Sequence, residues 1–372
     1  MSDMAVVTMD PRFGGGSRAL TEAFRQAALS LGRTPELHYV AHPSLTGVTL
    51  GDTPLAAKGI DAPFRWFDAG NQFVGGRRLA VRVAGARSVW VVAATAPYGY
   101  AAQRNGRPYA CWLATPLAEE WASRRGLPAS RRLALRVNAP ALLRIERSVL
   151  RSAARVYGIS PSSAAGLART AGLDEGRIGL LPIPVDLDRF RPLADEAWSA
   201  GLERPLLVFV GRADDPRKNA GLLLDAFQLL RARVPGARLR LVGSPPRGPL
   251  PEGAEATGPV GSVAEHMRKA ALLVLPSLQE GFGIVAAEAL ASGVPVVATP
   301  SGGPEHLIRE SKGGRVLAGF SVEELASTLA ELLEAPATLR EMRVSGREHV
   351  AREHSPDRLR TLLAQACREL DG

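Results

Sequence analysis

The segment that decides the fold is Leu275-Pro-Ser-Leu-Gln-Glu280-Gly-Phe-Gly283-Ile-Val-Ala-Ala-Glu288. It begins at the end of an apolar strand, passes through a glycine loop and continues as a helix. Such a unit is typical of open parallel α/β sheets, which bind their ligands at the carboxyl ends of the strands. Two glutamates bracket seven residues, the first in the loop and the second one to two turns into the helix. The segment therefore predicts a ligand site on a doubly wound sheet.

The residue types in this segment indicate which ligand it holds. Gly281 and Gly283 let the backbone approach a ligand closely, and the amides of residues 284–285 lie at a helix N-terminus, which attracts phosphate. A carboxylate accepts hydrogen bonds from neighbouring hydroxyls, as on a sugar. We therefore expect a sugar at Glu280, a diphosphate at 284–285 and a ribose at Glu288.

A second segment, Val208-Phe-Val-Gly211-Arg212-Ala-Asp-Asp-Pro-Arg-Lys218-Asn219, also connects a strand to a helix. Arg212 and Lys218 at such a turn form a two-pronged anion site. Arg217 is expected to face solvent, and Asp214-Asp215-Pro216 is interpreted as turn chemistry.

A third segment, Phe13-Gly14-Gly15-Gly16-Ser17-Arg18-Ala19, matches the dinucleotide pattern G-x-G-x-x-A after a strand. No acid stands at the end of the next strand, where His42 follows Ala41. A glycine loop that faces a diphosphate fits this segment as well as an NAD site does, and a plain tight turn is the third interpretation.

Strands and helices alternate along the whole chain in two successive series, which predicts two doubly wound parallel-sheet α/β domains. Prolines 182, 184 and 192 mark the junction. We predict an N-terminal domain over 1–190, a C-terminal domain over 191–355 and a closing helix over 356–372. A basic amphipathic helix is predicted over 141–156, with its apolar stripe on the domain core.

Charge is distributed unevenly along the 372 residues, which carry a net +9. Residues 1–190 hold 24 basic and 14 acidic side chains, and the remainder is close to neutral. A basic first half predicts an anionic partner, either an anionic or lipid-linked acceptor or the surface of a membrane with which the protein makes peripheral contact. The low aromatic content, 5%, argues against nucleic acid.

Several classes of protein are excluded or disfavoured by composition. No apolar run is long enough for a transmembrane helix, and Met1-Ser2-Asp3-Met4 lacks the basic start of a secretory signal. Two cysteines cannot build a disulfide scaffold, and no cluster has metal-ligand spacing. We expect a cytoplasmic protein, in peripheral contact with the membrane if it has a lipid-linked acceptor, and we expect neither cofactor nor metal.

These segments together resemble glycosyltransferase family 4, the retaining enzymes with a GT-B fold. The resemblance also covers Pro184-Val-Asp-Leu-Asp-Arg-Phe-Arg-Pro192 and Ser301-Gly-Gly-Pro-Glu305. It implies two Rossmann-like domains facing across a cleft, with a nucleotide-sugar donor mostly on the second and an acceptor mostly on the first. It also implies a last helix that crosses back to the first domain.

The resemblance assigns roles residue by residue. Arg212, Lys218 and Glu280 are the implied catalytic residues, and Gly258-Pro-Val260 takes the place that holds the base. The implied donor-binding set is Gly15, Gly16, Arg212, Lys218, Val260, Glu280, Gly281, Phe282, Gly283, Ile284, Val285 and Glu288. Arg18 and Thr115 are assigned to the acceptor or sugar side.

One departure concerns the histidine that the family commonly places at a strand end of the first domain. No histidine occurs between His42 and His266, and the matching stretch is Ala110-Cys-Trp-Leu-Ala-Thr115-Pro116. Thr115 or a neighbour takes that place.

The predicted function is a metal-independent, retaining transfer of a hexose from a UDP- or GDP-linked donor to an acceptor hydroxyl. Three alternatives stay open: a nucleotide-sugar epimerase on the same scaffold, a catalytically silent protein of this fold, and an NAD-dependent oxidoreductase that depends on the glycine match alone.

Overall fold

The computed structural model describes residues 3–13, 15–41, 57–61, 68–122 and 129–371. The chain divides into two compact units: residues 1–183 together with 356–372, and residues 184–355. The C-terminal helix is thus part of the first unit.

The first unit is built on a seven-stranded parallel sheet. Its strands are β1 Met4–Thr8, β2 Pro35–Val40, β3 Ala57–Ile60, β4 Ser88–Ala93, β5 Tyr109–Leu113, β6 Arg155–Gly158 and β7 Ile178–Leu180, in the order β3-β2-β1-β4-β5-β6-β7. The strands are short apolar runs, and β1, β4 and β5 are buried along their whole length, as expected where helices cover both faces of a parallel sheet.

Helices connect these strands and pack on the sheet. They are α1 Gly15–Ser30, α2 Asp68–Val83, α3 Tyr100–Arg104, α4 Leu117–Ala122, α5 Ala129–Ser152 and α6 Pro161–Ala171. The core between sheet and helices includes Leu79, Val91 and Val149.

The second unit has a six-stranded parallel sheet. Its strands are β8 Leu206–Val210, β9 Arg238–Val242, β10 Ala254–Ala256, β11 Leu272–Leu275, β12 Val296–Ala298 and β13 Gly314–Val316, in the order β10-β9-β8-β11-β12-β13. Its helices are α7 Asp195–Gly201, α8 Ala220–Arg233, α9 Ala264–Met267, α10 Ile284–Ala291, α11 Gly303–Ser311, α12 Val322–Leu333 and α13 Pro336–Glu353. The chain ends with α14 Pro356–Asp371, which belongs to the first unit and contacts α1.

The strand order reverses once in each sheet, between β1 and β4 and between β8 and β11. At such a switch point the loops that leave the two strands diverge, and the crevice between them is where doubly wound sheets bind ligands. The predicted class, parallel α/β sheets of doubly wound topology, is observed in both units, and the switch point of the second unit lies between the two segments singled out from the sequence.

The junction between the units lies at residues 183–184 rather than after residue 190. The reason is that the proline-rich segment is bound to α13. The Val185 amide donates to the His354 carbonyl (2.7 Å), and the Arg347 guanidinium donates to the carbonyls of Leu187 (3.3 Å) and Phe190 (2.7 Å).

The helix predicted over 141–156 is part of the longer helix α5 and ends earlier than expected. Leu142, Ile145 and Val149 are buried as predicted. The extension to residue 156 is wrong, because the Ala154 amide donates to the Tyr109 carbonyl (2.9 Å) and the chain enters strand β6. Pairing with β5 prevails over the helical pattern there.

Candidate functional site

Two loops meet at the switch point of the second unit. Residues 211–219 follow β8 and residues 276–283 follow β11, its neighbour in the sheet. Because parallel strands end at the same edge, loops that follow adjacent strands lie side by side. A backbone hydrogen bond from Leu278 to the Arg217 carbonyl (2.8 Å) joins them.

An ion pair between these loops forms the centre of the site. The Lys218 ammonium donates to Glu280 Oε1 (2.6 Å), and the Ser277 hydroxyl donates to the same oxygen (2.7 Å). The side chains of Lys218 and Glu280 are 22% and 14% exposed, so the pair is partly shielded from water while still open on one side. The structure records no partner for Oε2 of Glu280 within the described part of the chain. One carboxylate oxygen is therefore available to a ligand.

Arg212 lies at the same edge but is held differently. Its guanidinium donates to Asp215 Oδ2 (2.7 Å), and Arg217 donates to the same carboxylate (2.8 Å). Burial of Asp215 opposes its ionisation, but the hydrogen bonds and charges of the two arginines outweigh it and keep the pKa of this carboxyl below its usual range. Arg212 is 65% exposed, and no bond between it and Glu280 is recorded. Asp215 also has the turn role that the sequence predicts, since its carboxylate accepts a hydrogen bond from the Arg217 amide (3.0 Å); its ion pairs with the two arginines are an addition to that role.

The glycine loop between Glu280 and helix α10 has no room for a side chain at Gly283. Gly283 adopts φ +75°, and a Cβ there would lie 2.5 Å from Pro304 Cγ. The Glu280 amide and carbonyl are both bonded, to Ser301 (2.8 Å) and Gly303 (3.1 Å). The loop is thus fixed by backbone contacts that require glycine.

The N-terminus of α10 follows this loop directly, and its first amides have no acceptor recorded among the described residues. A helix leaves its first amides without an intrahelical acceptor. In α10 these include the amides of Ile284 and Val285, and both residues are partly exposed. Because this end of the helix also carries the positive end of the helix dipole, it suits a phosphate, as the sequence predicts.

Phe282 differs from its predicted place in the donor-binding set. Its side chain is buried, and its ring packs against the ring of His354 with the centroids 5.1 Å apart. The aromatic ring therefore contributes to packing, and only the backbone of this residue faces the loop.

Glu288 is one turn further along α10 than Ile284. Burial raises the pKa of this carboxyl to about 7, and the charge of Arg189 acts in the opposite direction. No hydrogen-bond partner of the carboxylate is recorded among the described residues. A partly buried carboxylate without a recorded partner is a ready acceptor for ligand hydroxyls. Arg189 is a residue that sequence reasoning left out, although it lies in the quoted junction segment.

Val260 is partly exposed in the segment that follows β10. This segment is tied to the end of β9, since the Gly243 amide donates to the Gly258 carbonyl (3.1 Å). A Cβ on Gly243 would lie 2.1 Å from the Gly211 carbonyl oxygen. The loop that follows β9 and the loop that follows β8 therefore approach each other closely.

The predicted residues of the first unit lie near its own switch point. Gly15 is the first residue of α1, Gly16 is exposed and Arg18 is partly exposed in the first turn. Gly14 and His42 lie outside the described residues. Thr115 follows β5; it is buried, and its amide donates to the Ala94 carbonyl (2.9 Å).

The described residues form neither a metal-binding group nor a membrane-spanning helix. Within the described ranges, no three His, Cys, Asp or Glu side chains form a group that could ligate a metal ion. No helix in that part of the chain is both long enough and apolar enough to cross a bilayer.

Part of the second unit matches a known protein family. Residues 204–335 match the family described as glycosyl transferases group 1. The matched residues contain both site loops, the helix α10 and the segment around Val260.

Curated relatives of the chain carry glycosyltransferase names. D-inositol 3-phosphate glycosyltransferase 2 of Catenulispora acidiphila is 35% identical over 56% of this chain and 54% of its own length. A GDP-mannose-dependent alpha-(1-6)-phosphatidylinositol monomannoside mannosyltransferase of Mycobacterium tuberculosis is 35% identical over 52% of this chain and 56% of its own. The chain thus spans a little over half the length of these relatives.

Solved structures resemble the chain along nearly its whole length. Sucrose-phosphate synthase from Thermosynechococcus elongatus has a TM-score of 0.78 at 19% identity, over 99% of both chains. The glycosyltransferase WaaG has a TM-score of 0.69 at 20% identity, over 96% of this chain and 99% of its own. Anabaena Alr3699/HepE, solved with UDP, has a TM-score of 0.75 at 16% identity, over 98% and 99%. The likeness confirms the predicted GT-B fold class.

Proposed function

We propose that the protein is a retaining hexosyltransferase, which moves a hexose from a UDP- or GDP-linked donor to an acceptor hydroxyl without a metal. The observation that carries this proposal is the Lys218–Glu280 ion pair, with 2.6 Å between Nζ and Oε1, at the switch point of the second unit. The names of the relatives support transfer of a sugar, and one of them is GDP-mannose-dependent.

In this proposal, different residues of the site bind different parts of the donor. Lys218, Arg212 and the first amides of α10 take the diphosphate and stabilise the charge that develops as the glycosyl–phosphate bond breaks. The free oxygen of Glu280 accepts sugar hydroxyls, and the Glu288 carboxylate accepts those of the ribose. In this scheme Glu280 positions the sugar and does not attack it.

The chemistry needs no protein nucleophile. The glycosyl–phosphate bond breaks with its electron pair on the departing phosphate oxygen. That oxygen takes the proton of the acceptor hydroxyl on the same face as the new bond forms, so the anomeric configuration is retained. Positive charge around the diphosphate favours this departure, because it stabilises the leaving group in a partly shielded site.

The acceptor that we propose is a phosphorylated polyol, either free or lipid-linked. The relatives that act on D-inositol 3-phosphate and on phosphatidylinositol monomannoside support this class. The excess of basic residues over 1–190 also favours an anionic acceptor.

The experiment that tests the function measures nucleoside diphosphate release from UDP- and GDP-hexoses, with and without inositol phosphate or phosphatidylinositol. Acceptor-dependent release with a glycosylated product supports the proposal. A rearranged sugar nucleotide formed without acceptor would identify an epimerase instead. If no donor is bound or consumed by the folded protein, the proposal is wrong.

Binding of the donor is expected to weaken at low pH because of Glu288. Its carboxyl, with a pKa of about 7, is ionised above that pH and protonated below it, and only the ionised form accepts two ribose hydroxyls. From pH 8 to pH 6 we expect nucleoside diphosphate affinity to fall by about 10-fold through this group. Calorimetric titration from pH 5.5 to 8 measures the change.

The matched control for this prediction is Glu288→Gln, which removes the titrating group. The phosphate of the ligand itself titrates near pH 6, so the control subtracts that contribution. Equal pH profiles for wild type and Glu288→Gln would contradict the role of the carboxylate.

We also propose that the first unit attaches the protein to the cytoplasmic face of an anionic membrane. Helix α5 exposes Leu133 (64%) and Val137 (62%) beside Arg136 and Arg144, which are exposed too. Exposed apolar side chains among cations suit a bilayer with anionic headgroups.

Helix α2 adds a similar surface. It exposes Phe73 and Val81 together with Arg77 and Arg78. It lies against α5, since the Ala69 amide donates to the Asn138 side chain (3.0 Å). The first unit therefore exposes both apolar and basic side chains on two neighbouring helices.

Sedimentation with phosphatidylglycerol vesicles at low salt is expected to bring down the wild-type protein, and neutral vesicles should not. The double variant Leu133→Ser, Val137→Ser should lose most of this binding. Leu229→Ser, at an exposed leucine of the second unit, is the control and should bind normally. If wild type stays in the supernatant with anionic vesicles, the attachment is disproved.

A further inference from the structure

Arg189 projects from a rigid turn of the second unit. The Asp186 carboxylate accepts hydrogen bonds from the amides of Asp188 (3.1 Å) and Arg189 (3.0 Å). The next residue, Phe190, has a buried ring and a carbonyl that is bound by Arg347. Both sides of the turn are thus fixed, and the exposed side chain of Arg189 leaves it in a defined direction.

The guanidinium of Arg189 lies beside the segment that contains Val260. Its Nη2 is 3.4 Å from the Ser262 hydroxyl, two residues beyond Val260. Its charge also acts to lower the pKa of Glu288, so the two groups are within electrostatic range of each other. The structure records no ion pair for Arg189 among the residues that it describes, so most of its five donors are available to a ligand.

The guanidinium lies beside the position that we expect for the base of a bound donor. A diphosphate at the first amides of α10 places the ribose at Glu288, four residues and about 6 Å further along the helix axis. The base attaches to the far side of the ribose. Since Arg189 contacts Ser262 and its charge reaches Glu288, we place its guanidinium near the point where the base leaves the ribose.

We propose that Arg189 reads the base of the donor and selects guanine, an inference that rests on the proposed function. A guanidinium only donates hydrogen bonds, and its fork fits two acceptors in a row. Guanine presents O6 and N7 as such a pair, whereas adenine replaces the first with an amino donor. Uracil offers a single carbonyl oxygen on the corresponding edge. The fork therefore favours GDP over UDP and ADP.

The test compares the affinities of GDP, UDP, ADP and 7-deaza-GDP by calorimetry. The last ligand lacks only the N7 acceptor. For the wild type we expect GDP to bind about 10-fold more tightly than the other three, because one bidentate contact discriminates by about that factor. Arg189→Ala should bind GDP and 7-deaza-GDP equally.

Two further variants separate charge from recognition. Arg189→Lys keeps a cation near Glu288 but has no planar fork, so it should bind UDP as wild type does and lose the preference for GDP. Arg191→Ala removes an exposed arginine two residues away and should keep the preference.

The outcomes distinguish this inference from the proposed function. If the wild type binds 7-deaza-GDP as tightly as GDP, or if Arg189→Ala keeps the preference, the base is read elsewhere although the donor site stands. If no nucleotide binds, the donor site itself is wrong, and the role of Arg189 falls with it. The comparison of GDP with 7-deaza-GDP on the wild type does not depend on whether any variant folds.

Discussion

Replacement of Lys218 by alanine is expected to lower turnover at saturating donor by about 100-fold or more, the range seen when one donor to developing charge is removed. In the proposed mechanism the side chain neutralises the leaving diphosphate, and in the structure its ammonium is the ion-pair partner of Glu280 (2.6 Å). Without it, a carboxylate that is 14% exposed remains beside the diphosphate and repels it. The measurement is the rate of nucleoside diphosphate release at saturating donor, together with thermal unfolding of the variant.

The control for this prediction is Lys269→Ala, at an exposed lysine of the same unit. It removes the same charge without touching the Glu280 carboxylate. Turnover of Lys218→Ala at the wild-type level would contradict the assignment of the leaving-group charge to this residue.

We expect Arg212 to contribute less than Lys218. The sequence places both cations in one two-pronged anion site. In the structure Arg212 shares the Asp215 carboxylate with Arg217 and is 65% exposed, so water screens its charge and its local partner offsets part of it. Lys218 is the better shielded cation, and the larger effect is therefore expected there.

Most of the fold could be predicted from local pattern. The predicted alternation of strands and helices is observed in both units, because apolar runs bounded by turn residues mark the elements, as at helix α8 and strand β9. The end of α5 could not be predicted. The helical stripe continues through Val156 in sequence, and only the pairing of β6 with β5 ends the helix earlier. That pairing joins residues more than forty positions apart, beyond the reach of a local pattern.

The site was predictable where spacing along one element fixes it. Glu280, the glycine loop and Glu288 lie on one strand–loop–helix unit, so their relative places follow from the sequence. The contact of Arg189 with Ser262 depends instead on how separate loops approach each other. The burial of the Phe282 ring could not be predicted from local pattern either. The ring packs against His354, which follows the end of α13 and is far away in sequence.

Replacement of Glu280 by glutamine is expected to separate sugar binding from nucleotide binding. In the wild type, Oε1 is occupied by Lys218 and Ser277, which leaves Oε2 for the hexose hydroxyls. An amide loses the ion pair and offers a donor in place of one acceptor. We expect kcat/KM for the sugar nucleotide to fall by about 100-fold, because buried polar partners are then left unpaired. The affinity for the nucleoside diphosphate alone should change little.

The matched control is Glu310→Gln, at an exposed glutamate of α11, which should behave as wild type in both assays. The decisive comparison is between two ligands on the same variant, measured as KM for the sugar nucleotide and Kd for the free diphosphate. If both weaken equally in Glu280→Gln, the glutamate acts on the diphosphate through Lys218, and the hexose is held by other groups. A loss confined to the sugar nucleotide assigns the hydroxyls of the hexose to Oε2, since that oxygen has no protein ligand recorded in the described part of the chain.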